Sequence, residues 1–136
     1  MSTLCAIAQE GLSVNRFFTD NLQDKSPGTI TSVVITGEQL AKHNLSVYRS
    51  VSVTGDEALT AQMERAVTHD GVKAKSREVS LKNGRLYFGF YTLTPAGKEN
   101  RYLFYLDNTI TGGNKTMIIY MQGTATQAQI SEMIKR

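Results

Sequence analysis

The chain has 136 residues, 40% apolar and 20% charged, with 11 Gly and only 2 Pro. That composition fits one ordinary folded domain and excludes the disordered, collagen-like and Pro-rich linker classes. Fifteen Lys and Arg oppose 12 Asp and Glu; the resulting +3 is too slight to mark a nucleic-acid or membrane-surface protein, and one Cys with two His excludes a disulfide framework or an all-Cys/His zinc site within one chain.

The first ten residues read as the end of a secretory signal peptide. In Leu4-Cys5-Ala6-Ile7-Ala8-Gln9-Glu10 the small residues Ala6 and Ala8 form an A-x-A site, whose pockets admit little more than a methyl group. Cleavage would leave residues 9–136 as a single domain and residues 1–8 as a shortened signal remnant. A basic n-region is missing, and the apolar run is shorter than the usual ~7 to 15 residues. The plain alternative is a frayed cytosolic N-terminus. Cleavage would also remove Cys5, and a thiol-free mature chain suits a periplasmic or extracellular address. No stretch approaches the ~20 apolar residues of a membrane span.

Residues 12–24 place Val14, Phe17, Phe18 and Leu22 on one face at helical spacing, with Ser13 as N-cap. Lys25-Ser26-Pro27-Gly28 breaks the chain before a β-branched strand, Thr29 to Thr36. Gly37 to Asn44 reads as a helical turn or loop around Leu40. Leu45, Val47, Val51 and Val53 then alternate with polar residues as a strand, and Arg49 interrupts the apolar series. Thr54-Gly55-Asp56-Glu57 has capping-box spacing for a second helix that buries Leu59, Met63, Ala66 and Val67 and ends at a left-handed Gly71. A bulge near Arg77 or Glu78, or a strand starting at about residue 77, would bring Val79 and Leu81 inward.

A four-stranded antiparallel meander follows. Asn83-Gly84 predicts a type I′ hairpin, Thr94-Pro95-Ala96-Gly97-Lys98 a second turn, and Gly112-Gly113 a third. Thr124 or Thr126, with Gln127 or Gln129 at box spacing, would cap a last helix carrying Ile130, Met133 and Ile134. The expected order is αββαββββα: an α+β, two-layer fold with a mainly antiparallel sheet of about six strands and helices on one face.

Two surfaces are candidates for binding. Tyr87, Tyr91 and Tyr105 could share the sheet face opposite Phe88 and Phe90 and form a stacking platform for a ring or a partner's side chain; the bland alternative is tyrosines bridging a sheet face and its rim. Phe88-Gly89-Phe90 touches the RNA-recognition strand pattern, but the βαββαβ order of that module is missing, so no nucleic acid is expected. Arg49, Lys73, Lys75 and Arg77 could hold an anion; an internal ion pair, a snorkelling Arg or edge-protecting lysines are the structural alternatives.

No catalytic set stands out. His69-Asp70 is explained by a helix C-terminus, where imidazolium is favoured, and His43 lies in a polar loop. No G-x-S-x-G elbow or carboxylate cluster is present. Gly112-Gly113-Asn114-Lys115-Thr116 lacks the Gly before Lys and the following helix of a phosphate loop. No metal and no cofactor are expected.

The Ala6-Ile7-Ala8-Gln9 junction, Leu12 to Phe18, Leu45 to Val53, Asn83 to Tyr91, Glu99 to Tyr105 and Ile119 to Gly123 together resemble small exported proteins of Bacteroidetes classed as a domain of unknown function. The resemblance covers nearly the whole mature chain and rests on strand and turn phrases. It implies export and a compact α+β fold, and carries over no site residue. The expected function is an exported, non-enzymatic module that binds a protein or envelope component through the less covered sheet face or the meander loops. The alternative is a small-anion protein or enzyme with a pocket near Arg49.

Overall fold

A computed structural model describes residues 12–19, 23, 26–35 and 37–134. The expected signal remnant, Leu22 and Lys25 lie outside them. The elements are α1 (Asn15–Thr19), β1 (Thr29–Ile35), α2 (Glu38–Ala41), β2 (Leu45–Thr54), α3 (Glu57–Gly71), β3 (Ser76–Lys82), β4 (Arg85–Ala96), β5 (Glu99–Asp107), a short 3-10 turn (Asn108–Thr111), β6 (Lys115–Gly123) and α4 (Gln127–Ile134). The six strands form one antiparallel sheet in the order β1-β2-β6-β5-β4-β3. The α+β reading holds. α3 carries the chain from β2 to the far edge at β3, and the meander returns until β6 closes against β2.

Helices cover both faces, where one was expected. Strand alternation splits the apolar residues into two sets. Val51, Val53, Tyr91, Leu103, Tyr105, Ile118 and Tyr120 meet Phe17 of α1 and Leu59, Met63 and Val67 of α3. Phe90, Tyr102, Phe104, Ile119 and Met121 meet Leu40 of α2 and Ile130 of α4 on the other face. The meander strands are apolar on both sides, which a sheet with one wet face would not be; read in this way, Phe104 beside Tyr105 and Ile118 beside Ile119 call for cover on two sides.

Local chemistry sets the element ends. Asn83 and Gly84 have φ of 53° and 76°, the pair of positive angles a type I′ turn requires. Thr126 and Gln129 form a reciprocal capping box: the Gln129 N–H donates to Thr126 Oγ1 at 3.2 Å, and the Thr126 N–H to Gln129 Oε1 at 2.9 Å. At α3 the cap is Asp56 and not Thr54, which stays in β2; Asp56 Oδ1 accepts from the Leu59 N–H at 3.0 Å. Ser13 does not cap α1 through its hydroxyl. The N–H groups of Ser13 and Val14 donate instead to the two oxygens of Asp70, at 2.7 and 2.9 Å, so the end of α3 holds the start of α1.

Gly71 closes α3 without a left-handed turn, since the following Val72 is in the ordinary helical region. No bulge occurs at Arg77 or Glu78; the strand instead starts at Ser76, next to the start expected at about residue 77. The register shift falls between Ser80 and Leu81, where Tyr87 of β4 is the extra residue. All seven residues of β3 are exposed, Val79 by 42% and Leu81 by 63%, so the strand needs no phase change because neither of its faces is covered.

Candidate functional site

α4 has eight residues, about 12 Å of helix, whereas β6 beneath it has nine, about 30 Å of strand. The helix therefore covers only part of its face. Under α4 the cross-strand rows are filled: Met121, Tyr102, Phe90 and Phe104 are buried. The row toward the β3–β4 turn runs Thr31, Ser52, Met117, Leu106, Phe88, Ser80 across all six strands. Its three central residues are apolar and only half-buried; its ends are polar. Apolar centre and polar rim is the anatomy of a protein-binding patch. Phe88 also meets Phe104 edge to face, with centroids 5.4 Å apart, so its ring is fixed in orientation.

The tyrosines expected to form a platform lie on the opposite, α3-covered face. Tyr105 is fully buried and Tyr91 nearly so, because α3 packs over them. Tyr87 sits at the bulge, half-buried, with the Lys82 ammonium 5.4 Å from its ring centroid. They offer no common surface. The aromatic on the open row is Phe88, one residue along and half-buried like Tyr87, and its signal was its parity with Leu106 and Met117.

The candidate anion residues are also separated. β2 and β3 are four inter-strand steps apart, about 19 Å, so Arg49 and Arg77 cannot share one ligand. Arg49 Nη2 donates to the Phe18 carbonyl near the end of α1 at 3.0 Å, with the guanidinium 5.6 Å from the Phe18 ring centroid. Arg77 Nη1 donates to the Gly71 carbonyl at 2.9 Å. Both cations satisfy helix-end carbonyls, a structural use favoured by the helix dipole. Lys75 is exposed, and its backbone N–H joins Thr92 O at 2.7 Å. Lys73 lines a cleft of about 320 Å³ with His69, Leu93, Thr94 and Arg101.

His69 and Asp70 stand near Ser13, but not as a triad. His69 Nδ1 faces both the Ser13 hydroxyl, at 2.9 Å, and Asp70, at 3.6 Å, so one nitrogen would have to serve both partners. Asp70 is already committed to two backbone N–H groups. Among the described residues no group of three or more His, Cys, Asp or Glu is placed to hold a metal ion.

A polar cluster that sequence reading missed lies under α3. Asp107 is fully buried at the end of β5. Its Oδ1 accepts from the N–H and hydroxyl of Thr109 and from Thr116 Oγ1, and Thr116 in turn contacts Thr60 Oγ1 at 3.0 Å. Among the described residues Asp107 Oδ2 has no hydrogen-bond partner, and it stands 3.5 Å from Arg85 Nη2. Arg85 donates through Nε and Nη2 to Glu64 Oε1, at 3.1 and 2.8 Å, while Glu64 Oε2 accepts from the Leu86 N–H at 3.1 Å. The bonds to Glu64 hold the Arg85 guanidinium more firmly charged than usual, with Asp107 adding a smaller attraction. Burial, reinforced by the Asp107 and Glu64 carboxylates, pushes the Tyr105 hydroxyl far above the ordinary tyrosine range.

Arg85 also borders a cleft of about 560 Å³ at the sheet end, with Glu57, Thr60, Asn83, Thr109 and Asn114. Every polar atom of the Arg85–Glu64 pair that is named above serves to tie β4 to α3, so the cluster acts as a clamp. Among the described residues neither cleft is lined by a Ser or Cys beside a His.

No curated protein and no solved structure matches the chain. The model of a family of unknown function, DUF6108, matches residues 1–134, and the chain belongs to that family.

Proposed function

We propose that this protein is an exported, non-enzymatic binding module that engages a protein or envelope component through the uncovered end of its α4 face. One observation carries the reading: Met117, Leu106 and Phe88 form a half-buried apolar row between polar ends on three adjacent strands. A rigid sheet displays these side chains at fixed spacing, so binding costs little ordering. Phe88, beside Leu106 at one end of the apolar row, is the kind of aromatic anchor that dominates an interface. Export is supported by the Ala6-x-Ala8 junction and by the lone thiol at Cys5.

The test is capture from an envelope extract by the immobilised full chain. Phe88→Glu and Ser52→Arg, the second placed on the polar rim so that the core is left intact, should each lower the captured partner at least tenfold with unchanged circular dichroism. Equal capture by both folded variants refutes the face as the site. For export, the mass of the mature protein recovered from its source cells should place Gln9 first; a mature form beginning before Ala8 removes that part of the reading.

A small-anion reading keeps one supporting observation, the cleft that His69, Lys73 and Arg101 share. Titration of the full chain with inorganic phosphate should show binding that Lys73→Ala and Arg101→Ala both weaken; no heat of binding rejects it.

A further inference from the structure

β3 ends the sheet with all seven of its residues exposed, and among the described residues only β4 pairs with it. Such an edge presents unpaired N–H and C=O groups and is a template for another strand. Its sequence, Ser76-Arg77-Glu78-Val79-Ser80-Leu81-Lys82, decides which strand fits. Two copies paired antiparallel are related by a two-fold axis perpendicular to the sheet, which keeps each side chain on its own face. An axis through Ser80 sets Glu78 opposite Lys82 twice and Val79 opposite Leu81 twice. Both charged residues on one face and both apolar residues on the other find complementary partners in that single register.

The neighbouring registers do worse. An axis through Glu78 sets that carboxylate against itself. An axis through Val79 sets Arg77 against Leu81 and leaves Glu78 facing Ser80. An axis through Leu81 sets Lys82 against Ser80 and discards the Glu–Lys pairs. The bulge residue, Tyr87, is on β4, so β3 itself keeps the regular alternation that pairing needs. Ser80, at the axis, is small enough to meet its own copy.

We propose that the occupant of this edge is β3 of a second copy of the chain, giving a two-fold dimer with a continuous twelve-stranded sheet. The same axis joins the two apolar rows, since Phe88 pairs with Ser80 in each copy. The row then reads Met117, Leu106, Phe88, Ser80 and on through the second copy in reverse, so the two α4 faces lie side by side and a partner with two contact points is held more tightly than by either alone.

Sedimentation equilibrium of the full chain should give twice the mass of one chain. Lys82→Glu, which creates two like-charge pairs, should return the mass to that of one chain; Glu78→Lys should do the same, and the exchange of both, Glu78→Lys with Lys82→Glu, should restore the dimer. These side chains are exposed, and circular dichroism should be unchanged in all three. In a Cys5→Ser background, oxidised Ser80→Cys should migrate as a covalent dimer, whereas Ser76→Cys, about 27 Å from its counterpart in this register, should not. A single-chain mass for the unaltered protein overturns the proposal, as does a dimer that ignores the charge variants or joins through residue 76; the Phe88 and Ser52 variants test the partner face separately.

Discussion

The Tyr91 ring occupies the space that a β-carbon on Gly71 would need: its Cε1 and Cδ1 atoms lie within contact of that position, and the same ring closes over Gly89 from the other side. The glycine that ends α3 is thus required by packing of the helix against β4, without any demand for a left-handed backbone. Gly71→Ala should cost about 1 to 3 kcal/mol through overpacking. The fall in urea midpoint at unchanged slope measures it, and Tyr91→Leu in the same chain should recover part of the loss where an independent effect would add to it.

Arg85 is the counter-ion nearest the buried Asp107 and the tie between β4 and α3. Its side chain is 45% exposed, which screens the pair and limits its worth. Arg85→Ala should therefore cost about 2 kcal/mol at neutral pH, the scale of a lost charge-assisted hydrogen bond plus a carboxylate left without its cation. Asp107→Asn made alone loses the charge but keeps an acceptor for Thr109 and Thr116. The double variant should cost less than the sum, read from chemical denaturation of all four proteins.

Much of this architecture was legible in the chain before its structure. The Asn83-Gly84 hairpin and the Thr126–Gln129 box are local devices whose geometry follows from three or four residues. What stayed hidden depends on partners distant in sequence. Asp70 caps α1 from 56 and 57 residues away, so Ser13 looked like the cap. Tyr91 and Tyr105 looked like surface because alternation shows which residues share a face and not whether a helix lies over it. The length of α4 against that of β6 decides which apolar row stays open, and neither boundary is fixed by periodicity alone.

Four of the six tyrosines have hydroxyls that burial pushes above the ordinary value: Tyr91, Tyr102, Tyr105 and Tyr120, the last despite the Arg101 Nε that donates to it at 2.9 Å. A group whose folded pKa is raised supports the fold fully below its unfolded value, about 10, and loses that support as pH climbs toward the folded value. Stability should accordingly be flat from pH 7 to about 9 and fall steeply above 10. Absorbance at 295 nm should show these four ionising together with the loss of circular dichroism; smooth titration of all tyrosines in the folded protein would contradict their burial.

Thr126 controls how much of the α4 face is open. Its hydroxyl and the Gln129 amide satisfy each other's backbone N–H groups at the start of a helix of only two turns, an end tied to the sheet by Gln127 Oε1, which accepts from the Thr92 hydroxyl at 3.2 Å, and by the Ala125 carbonyl, which accepts from the Tyr102 hydroxyl at 2.7 Å. Thr126→Ala should cost about 1 kcal/mol, and because Ile130 is the fully buried residue of α4, fraying from this end should expose Tyr102 and Met121 beneath it. Amide exchange in α4 should speed several-fold while exchange in α3 is unchanged. If the uncovered row binds its partner as proposed, the frayed face should also bind a hydrophobic dye more strongly than the unaltered protein does; equal dye binding with fast α4 exchange would mean that the sheet face is not what α4 shields.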